Sequence, residues 1–235
     1  MRQILRIFIL LCLSSAGIAT AATPATIRAT YDIHKLGLKI GEIEETFRRD
    51  ENDRYTLISS TRAIGLFALF KSGKIIVRSN GLIESQGLRP LAFSADNENN
   101  KHDHKHAEFD WNTKKILLTL NNNLSTLDLP DRTQDRLSAM YQFMFMPFNS
   151  SSFVFNMLNG SYMLQLNFDV AQGPLVKTPA GEFTTLYLDN KARGTKDRTE
   201  IWLSTNAFNI PCKMIVTDPD GGKITQLLSS LSFVQ

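Results

Sequence analysis

The sequence predicts a mainly β protein, a single domain of antiparallel meander strands folded around one central helix at about residues 131–146. Three observations predict it. Leu129 to Phe148 is the one long segment whose apolar residues recur at helical spacing, at Leu137, Met140, Tyr141, Met144 and Phe148. Almost everywhere else apolar and polar residues alternate, in runs bounded by Gly, Pro, Asn and Asp. No repeat, low-complexity tract or linker divides the chain, and 235 residues with 43% hydrophobic content suffice for one core.

The first 22 residues read as a signal peptide and are set apart from the domain, residues 23–235. Arg2 and Arg6 give a positive start, Ile7 to Leu13 an apolar centre, and Ala19-Thr20-Ala21 a small-x-small cleavage pattern. Cleavage is expected near Ala21 or Ala22, with the periplasm as destination. So short an apolar run does not span a bilayer, and no membrane span is expected in the mature protein. Lipidation at Cys12 is disfavoured, because Leu11 is too bulky for the position before it. Cys212 then remains as the sole cysteine, so the exported chain must hold by packing without an internal disulfide. It sits in an apolar strand without a nearby His or basic cluster, which reads as an inert buried thiol. A net charge of +3, with no dense Lys/Arg run, argues against a nucleic-acid partner.

In chain order, Thr26 to His34 makes a first strand, Leu36-Gly37 a turn, and Leu38 to Arg49 a second strand. Asp50 to Asp53 is a polar hairpin tip leading into Arg54 to Ala63. Paired carboxylates such as Glu44-Glu45 and Asp218/Asp220 are expected to be solvated on exposed strands or turns. Ile64 to Phe70 is too apolar on both faces for a half-exposed strand and too short for a full helix. It is read either as a helical turn against the core or as an apolar lip, with Leu66, Phe67 and Phe70 at the mouth of a cavity. Lys71 to Asn80 and Leu91 to Ala95 are further strands.

His102, His104 and His106 fall on one face of the next strand by period-two alternation. Phe109 and Trp111 take the core face, so the imidazoles point outward. They are weak metal candidates only, because successive same-face positions are too far apart for three rings to share an ion without distortion. Lys114 to Leu120 and Leu124 to Leu129 precede the helix. Asp131 and Gln134 match a capping box at its start, and Pro147 marks its end. Asp135 and Ser138 share a helix face, where the expected role is to hydrogen-bond loop backbone and lock the helix to the sheet. A nucleophilic Ser138 would need a neighbouring base, and no G-x-S-x-G elbow is present. Phe153 to Leu158, Tyr162 to Val170, Phe183 to Asn190, Thr199 to Ser204, Cys212 to Thr217 and Lys223 to Val234 complete the sheet.

Several short motifs, in this order and spacing, resemble the exported bacterial family DUF3108. They are Gly81-Leu82 with Gly87-Leu88-Arg89-Pro90, Phe109-Asp110-Trp111, and Gln134-Asp135-Arg136-Leu137-Ser138 with Tyr141. Thr178 to Thr185, Trp202-Leu203-Ser204 and Pro211 follow. The resemblance covers nearly all of the mature chain. It implies a β-rich exported domain similar to the half-barrel of lipoprotein carriers, with a helix in the concave face. Asp135, Ser138, Tyr141, Phe109, Trp111 and Trp202 are its structural residues; it implies no catalytic residue, and the histidine stretch is not part of the pattern.

The expected function is a periplasmic binding or carrier module enclosing a lipid or other hydrophobic ligand, without catalysis. Leu66, Phe67, Phe70, Met140 and Met144 are the candidate ligand contacts. Phosphate-loop and dinucleotide patterns are missing, and no cofactor is expected. The alternative is a structural or protein-interaction component of the cell envelope, with a filled core and an envelope protein as partner. A concave gap of roughly 300 Å³ or more beside the helix would favour the carrier.

Overall fold

A computed structural model describes residues 24–65, 68, 73–191 and 197–234, with backbone only at 101–103. The expected signal peptide, Leu66, Phe67, Phe70 and the His102 side chain lie outside the described residues. The fold is mainly β, 66% strand, built on one large curved and unclosed sheet. Strands β1 (Thr26–Lys35), β2 (Leu38–Arg49), β3 (Arg54–Ala63), β4 (Lys74–Glu84) and β5 (Gly87–Asn97) begin an antiparallel meander. It continues through β6 (Asn100–Asp110), β7 (Lys115–Leu120) and β8 (Asn123–Asp128), the first sheet edge.

After it come β9 (Gln134–Asp135), helix α1 (Ser138–Gln142) and a 3-10 turn at Phe143–Phe145. The second limb comprises β10 (Ser152–Leu158), β11 (Met163–Gln172), β14 (Thr185–Asp189), β15 (Arg198–Ser204), β16 (Ile210–Thr217) and β17 (Lys223–Val234). β17 pairs antiparallel with β1, with Tyr31 opposite Leu228, and so joins the limbs into 15 strands. The other edge is β9, paired parallel with β10. A separate hairpin, β12 (Val176–Thr178) with β13 (Gly181–Phe183), covers part of the outer face.

Alternation sorts each strand into an inner apolar face and an outer polar one. Phe47, Tyr55, Leu57, Phe93, Ile116 and Leu118 form the inner core of the first limb; Phe168, Leu188, Ile201 and Leu203 that of the second. Each such fully buried side chain contributes about 1.5–3 kcal/mol. The helical segment lies between the limbs and is shared by both. Tyr141 stacks on Phe47 with ring centroids 5.6 Å apart, and Phe143 lies 6.0 Å from Phe155.

The helix is much shorter than the 131–146 expected from its apolar spacing. Arg132 adopts a left-handed φ of 58°, and Thr133 donates from its hydroxyl to the Pro130 carbonyl at 2.7 Å, so Pro130 to Thr133 form a turn. Asp131 and Gln134 make no capping box: Asp131 is exposed and pairs with Lys114, while Gln134 belongs to β9. Instead Asp135, two residues ahead of the N-cap Leu137, accepts at Oδ1 from the backbone N–H groups of Leu137 and Ser138, each at 2.9 Å. At the other end Met146 is already extended, as expected for a residue preceding proline. The expected strand Phe183 to Asn190 is split at Thr184, its halves pairing in different sheets.

Candidate functional site

Between the limbs, beside α1, lies a cavity of about 380 Å³. Met140 and Phe143 wall it from the helical segment, Ile43 and Val77 from the first limb, and Phe155, Phe168, Ile201 and Met214 from the second. The exposed Arg136 also borders it. Met140 therefore faces the cavity, whereas Met144 packs into the core of the first limb.

One carboxylate reaches this apolar space. In β2, Ile43, Glu45 and Phe47 share the inner face, so Glu45 turns inward while Glu44 stays exposed. This corrects the expectation that both are solvated. Tyr141 Oη donates to Glu45 Oε2 at 3.1 Å, and Ser59 Oγ donates to Oε1 at 3.2 Å. Glu45 is half-buried and lines the cavity. Burial pushes its pKa up to about 7, against the two hydrogen bonds that hold it down. The hydroxyls of Tyr141 and of Tyr31, which lies nearby, are pushed well above the usual tyrosine range, chiefly by burial. Both remain neutral donors. No cation pairs with Glu45 among the described residues.

A second polar cluster fixes the helix rather than facing the cavity. Asp135 is fully buried; its Oδ2 accepts from Ser79 Oγ at 2.5 Å, and Ser79 Oγ lies 3.1 Å from Tyr55 Oη. Ser138 Oγ accepts from the Asp135 backbone N–H at 3.0 Å. Two glutamines tie the same segment to β5. Gln134 Nε2 donates to the Leu88 carbonyl at 2.7 Å, and Gln142 Oε1 accepts from the Leu88 N–H at 2.7 Å. Trp111 Nε1 donates to the Pro90 carbonyl at 2.7 Å, and its ring stacks with Phe109. The edge strand β9 is thus latched to the inner face of the opposite limb by side chains, where no backbone ladder closes the sheet.

The remaining candidates lie elsewhere. His104 and His106 occupy the outer face with parallel rings 6.5 Å apart; His104 Nδ1 is 2.5 Å from Asp96 Oδ1. Among the described residues no cluster of three metal-ligating side chains occurs. Trp202 points to the outer face, where Tyr187 and Lys213 contact its ring. Cys212 is buried beside the Trp202 carbonyl, and burial pushes its thiol up to about 11. Sequence reasoning does not single out Ser59, Ser79 or Gln142, and reads Glu45 as solvated. The signal that could have found all but Gln142 is register: Glu45 with Ile43 and Phe47, Ser59 with Tyr55 and Leu57, and Ser79 with Val77.

No curated protein matches the sequence. Among solved structures, a β-barrel-like protein of the DUF1849 family from Brucella abortus superposes with a TM-score of 0.58 at 15% identity, covering 92% of this chain and all of that one. A Bacteroides fragilis protein with a YmcC-like fold gives a TM-score of 0.33 at 9% identity, covering 89% of this chain and 96% of that one. The first likeness supports the half-barrel architecture. The family model described as "Protein of unknown function (DUF3108)" matches residues 29–229, nearly the whole described chain, and the chain therefore belongs to the DUF3108 family.

Proposed function

We propose that the protein is a periplasmic binding or carrier module that holds a lipid or other apolar ligand between the limbs of its sheet, without catalysis. The observation that carries this reading is the cavity of about 380 Å³ beside α1. It lies within the size range of small-molecule sites, which are mostly apolar with a few placed polar groups. Glu45 and Ser59 in its lining supply those groups, with Tyr141 hydrogen-bonded to Glu45. The void also weighs against the alternative of a filled-core structural protein. The export signal read at residues 1–22 supports the compartment.

The test is fluorescence of an apolar probe, 1-N-phenylnaphthylamine, with the wild-type protein and a Met140→Trp variant that fills the cavity. Wild type should bind saturably, and the variant should keep its melting temperature while losing the signal. Native mass spectrometry of protein purified from its own periplasm would weigh any retained ligand. Failure of wild type to bind the probe, with no retained mass, would sink the carrier reading.

A further inference from the structure

The β1–β2 hairpin turns through Leu36 and Gly37, with φ of 52° and 78°. Two-residue hairpin turns with positive φ at both positions favour Asn-Gly, since a large side chain is disfavoured in the left-handed region. Leu36 is nevertheless 91% exposed, the most exposed large apolar side chain among the described residues. Neither the turn nor the core requires a leucine there.

Leu36 borders a groove of about 810 Å³ on the outer face, between β15–β17 and the segment leading into β12. Leu175, 55% exposed, borders it from that segment, and Trp202 lies at its floor. Lys213 and Lys223 stand in its wall with His34; the Lys213 Nζ is 4.6 Å from the Trp202 ring centroid. Neither lysine has a carboxylate partner among the described residues, whereas neighbouring Lys177 pairs with Glu182 at 2.7 Å. The adjoining turn carries two acids, Asp218, whose Oδ1 accepts from the Gly222 N–H at 2.6 Å, and exposed Asp220, and neither pairs with Lys213 or Lys223.

We propose that this tip and groove dock onto an anionic phospholipid bilayer, Leu36 and Leu175 entering the acyl boundary while Lys213 and Lys223 meet lipid phosphates. Protruding apolar side chains beside uncommitted basic ones are the pattern of interfacial attachment. The groove's cations favour a lipid surface over an acidic protein: they are lysines, point charges suited to a diffuse phosphate layer, with no arginine fork for bidentate carboxylate recognition. The surface lies on the opposite sheet face from the cavity, so this proposal stands apart from the carrier reading.

The test is co-sedimentation of the processed protein with vesicles of equal parts phosphatidylglycerol and phosphatidylcholine, and with pure phosphatidylcholine vesicles. Wild type should partition into the anionic vesicles and weakly into the neutral ones. Lys213→Gln with Lys223→Gln should lower partitioning on the order of tenfold or more. Leu36→Asn is the decisive variant: it installs the favoured turn residue, so the melting temperature should hold or rise while vesicle binding falls. Equal partitioning into both vesicles, or undiminished binding by Leu36→Asn, would overturn the proposal. Absence of wild-type binding would overturn it too and turn attention to an acidic protein partner. The naphthylamine probe should respond equally in wild type and Leu36→Asn, which separates this test from that of the cavity.

Discussion

The Tyr141 hydroxyl donates to Glu45 Oε2 at 3.1 Å, joining the helix to the first limb of the sheet at the wall of the cavity. Burial pushes the pKa of the same carboxylate up to about 7, and no cation pairs with it among the described residues.

A pH dependence follows from Glu45. Its folded pKa, about 7, lies above the ordinary 4.5, so between these values the folded state holds the proton more tightly than the unfolded one. Stability should therefore be full below about pH 4.5, fall as pH rises, and level off above about 7. Two and a half units set an upper limit of about 3 kcal/mol, reduced by whatever water enters the cavity. Buried Asp135, raised chiefly by desolvation, acts in the same direction. Glu42 and Asp128, held low by Arg62 and Lys115, titrate beneath this window. Urea midpoints at pH 5 and pH 8 should differ clearly in wild type and much less in Glu45→Gln. Equal midpoints in wild type would remove the case for an enclosed carboxylate.

The Asp135 latch predicts a graded series. Asp135→Ala strands the Leu137 and Ser138 amides and the Ser79 hydroxyl, and should cost at least about 3 kcal/mol. Asp135→Asn retains an acceptor and a similar shape, so it should cost markedly less. Combining Ser79→Ala with Asp135→Ala should be less than additive, since the two share one bond. Strict additivity in chemical denaturation would mean that the bond contributes nothing.

Much of the sheet was legible from sequence. β2, β3 and β17 have the bounds read from their alternation, because turn residues punctuate both ends. What alternation lacks is non-local information. Nothing near Thr26 announces its partner Val234 in β17, 208 residues away, and nothing in Gln134-Asp135 announces parallel pairing with β10. The helix start misled because Asp131 and Gln134 satisfy a local capping rule, while the buried Ser79 hydroxyl and the Leu88 carbonyl claim Asp135 and Gln134 for tertiary contacts. At the site, Met140 was legible from helical spacing. Glu45 was not, because a charged side chain reads as solvated even where the register of its neighbours points inward.

Gly81 tests how closely β4 and β5 approach. A Cβ there would lie 2.1 Å from the Arg89 carbonyl oxygen and 2.8 Å from the Tyr55 ring. The carbonyl is backbone and cannot swing aside. Gly81→Ala should therefore destabilise by about 1–3 kcal/mol or more, as overpacking does. An unchanged melting temperature would show that the β4–β5 pairing, whose register shifts between Asn80 and Gly81, yields freely.

Phe67 and Phe70 lie outside the described residues, yet the strands that flank them carry information. Thr61, near the end of β3, and Ile75, near the start of β4, both line the cavity, so the strand ends that flank those residues stand beside it. If Leu66, Phe67 and Phe70 form a lip there, they gain little from the core. Replacing Phe67 and Phe70 together with Ser should then shift stability by well under the ~3–5 kcal/mol expected for each buried Phe truncated in a core. Binding of an apolar dye should nevertheless drop sharply, because the lip shields the ligand from water. Ile75, 42% exposed, gives a control on the neighbouring strand: Ile75→Ser should weaken binding in the same direction. Core-sized destabilisation of the double variant with dye binding unchanged would show that the segment packs and does not gate.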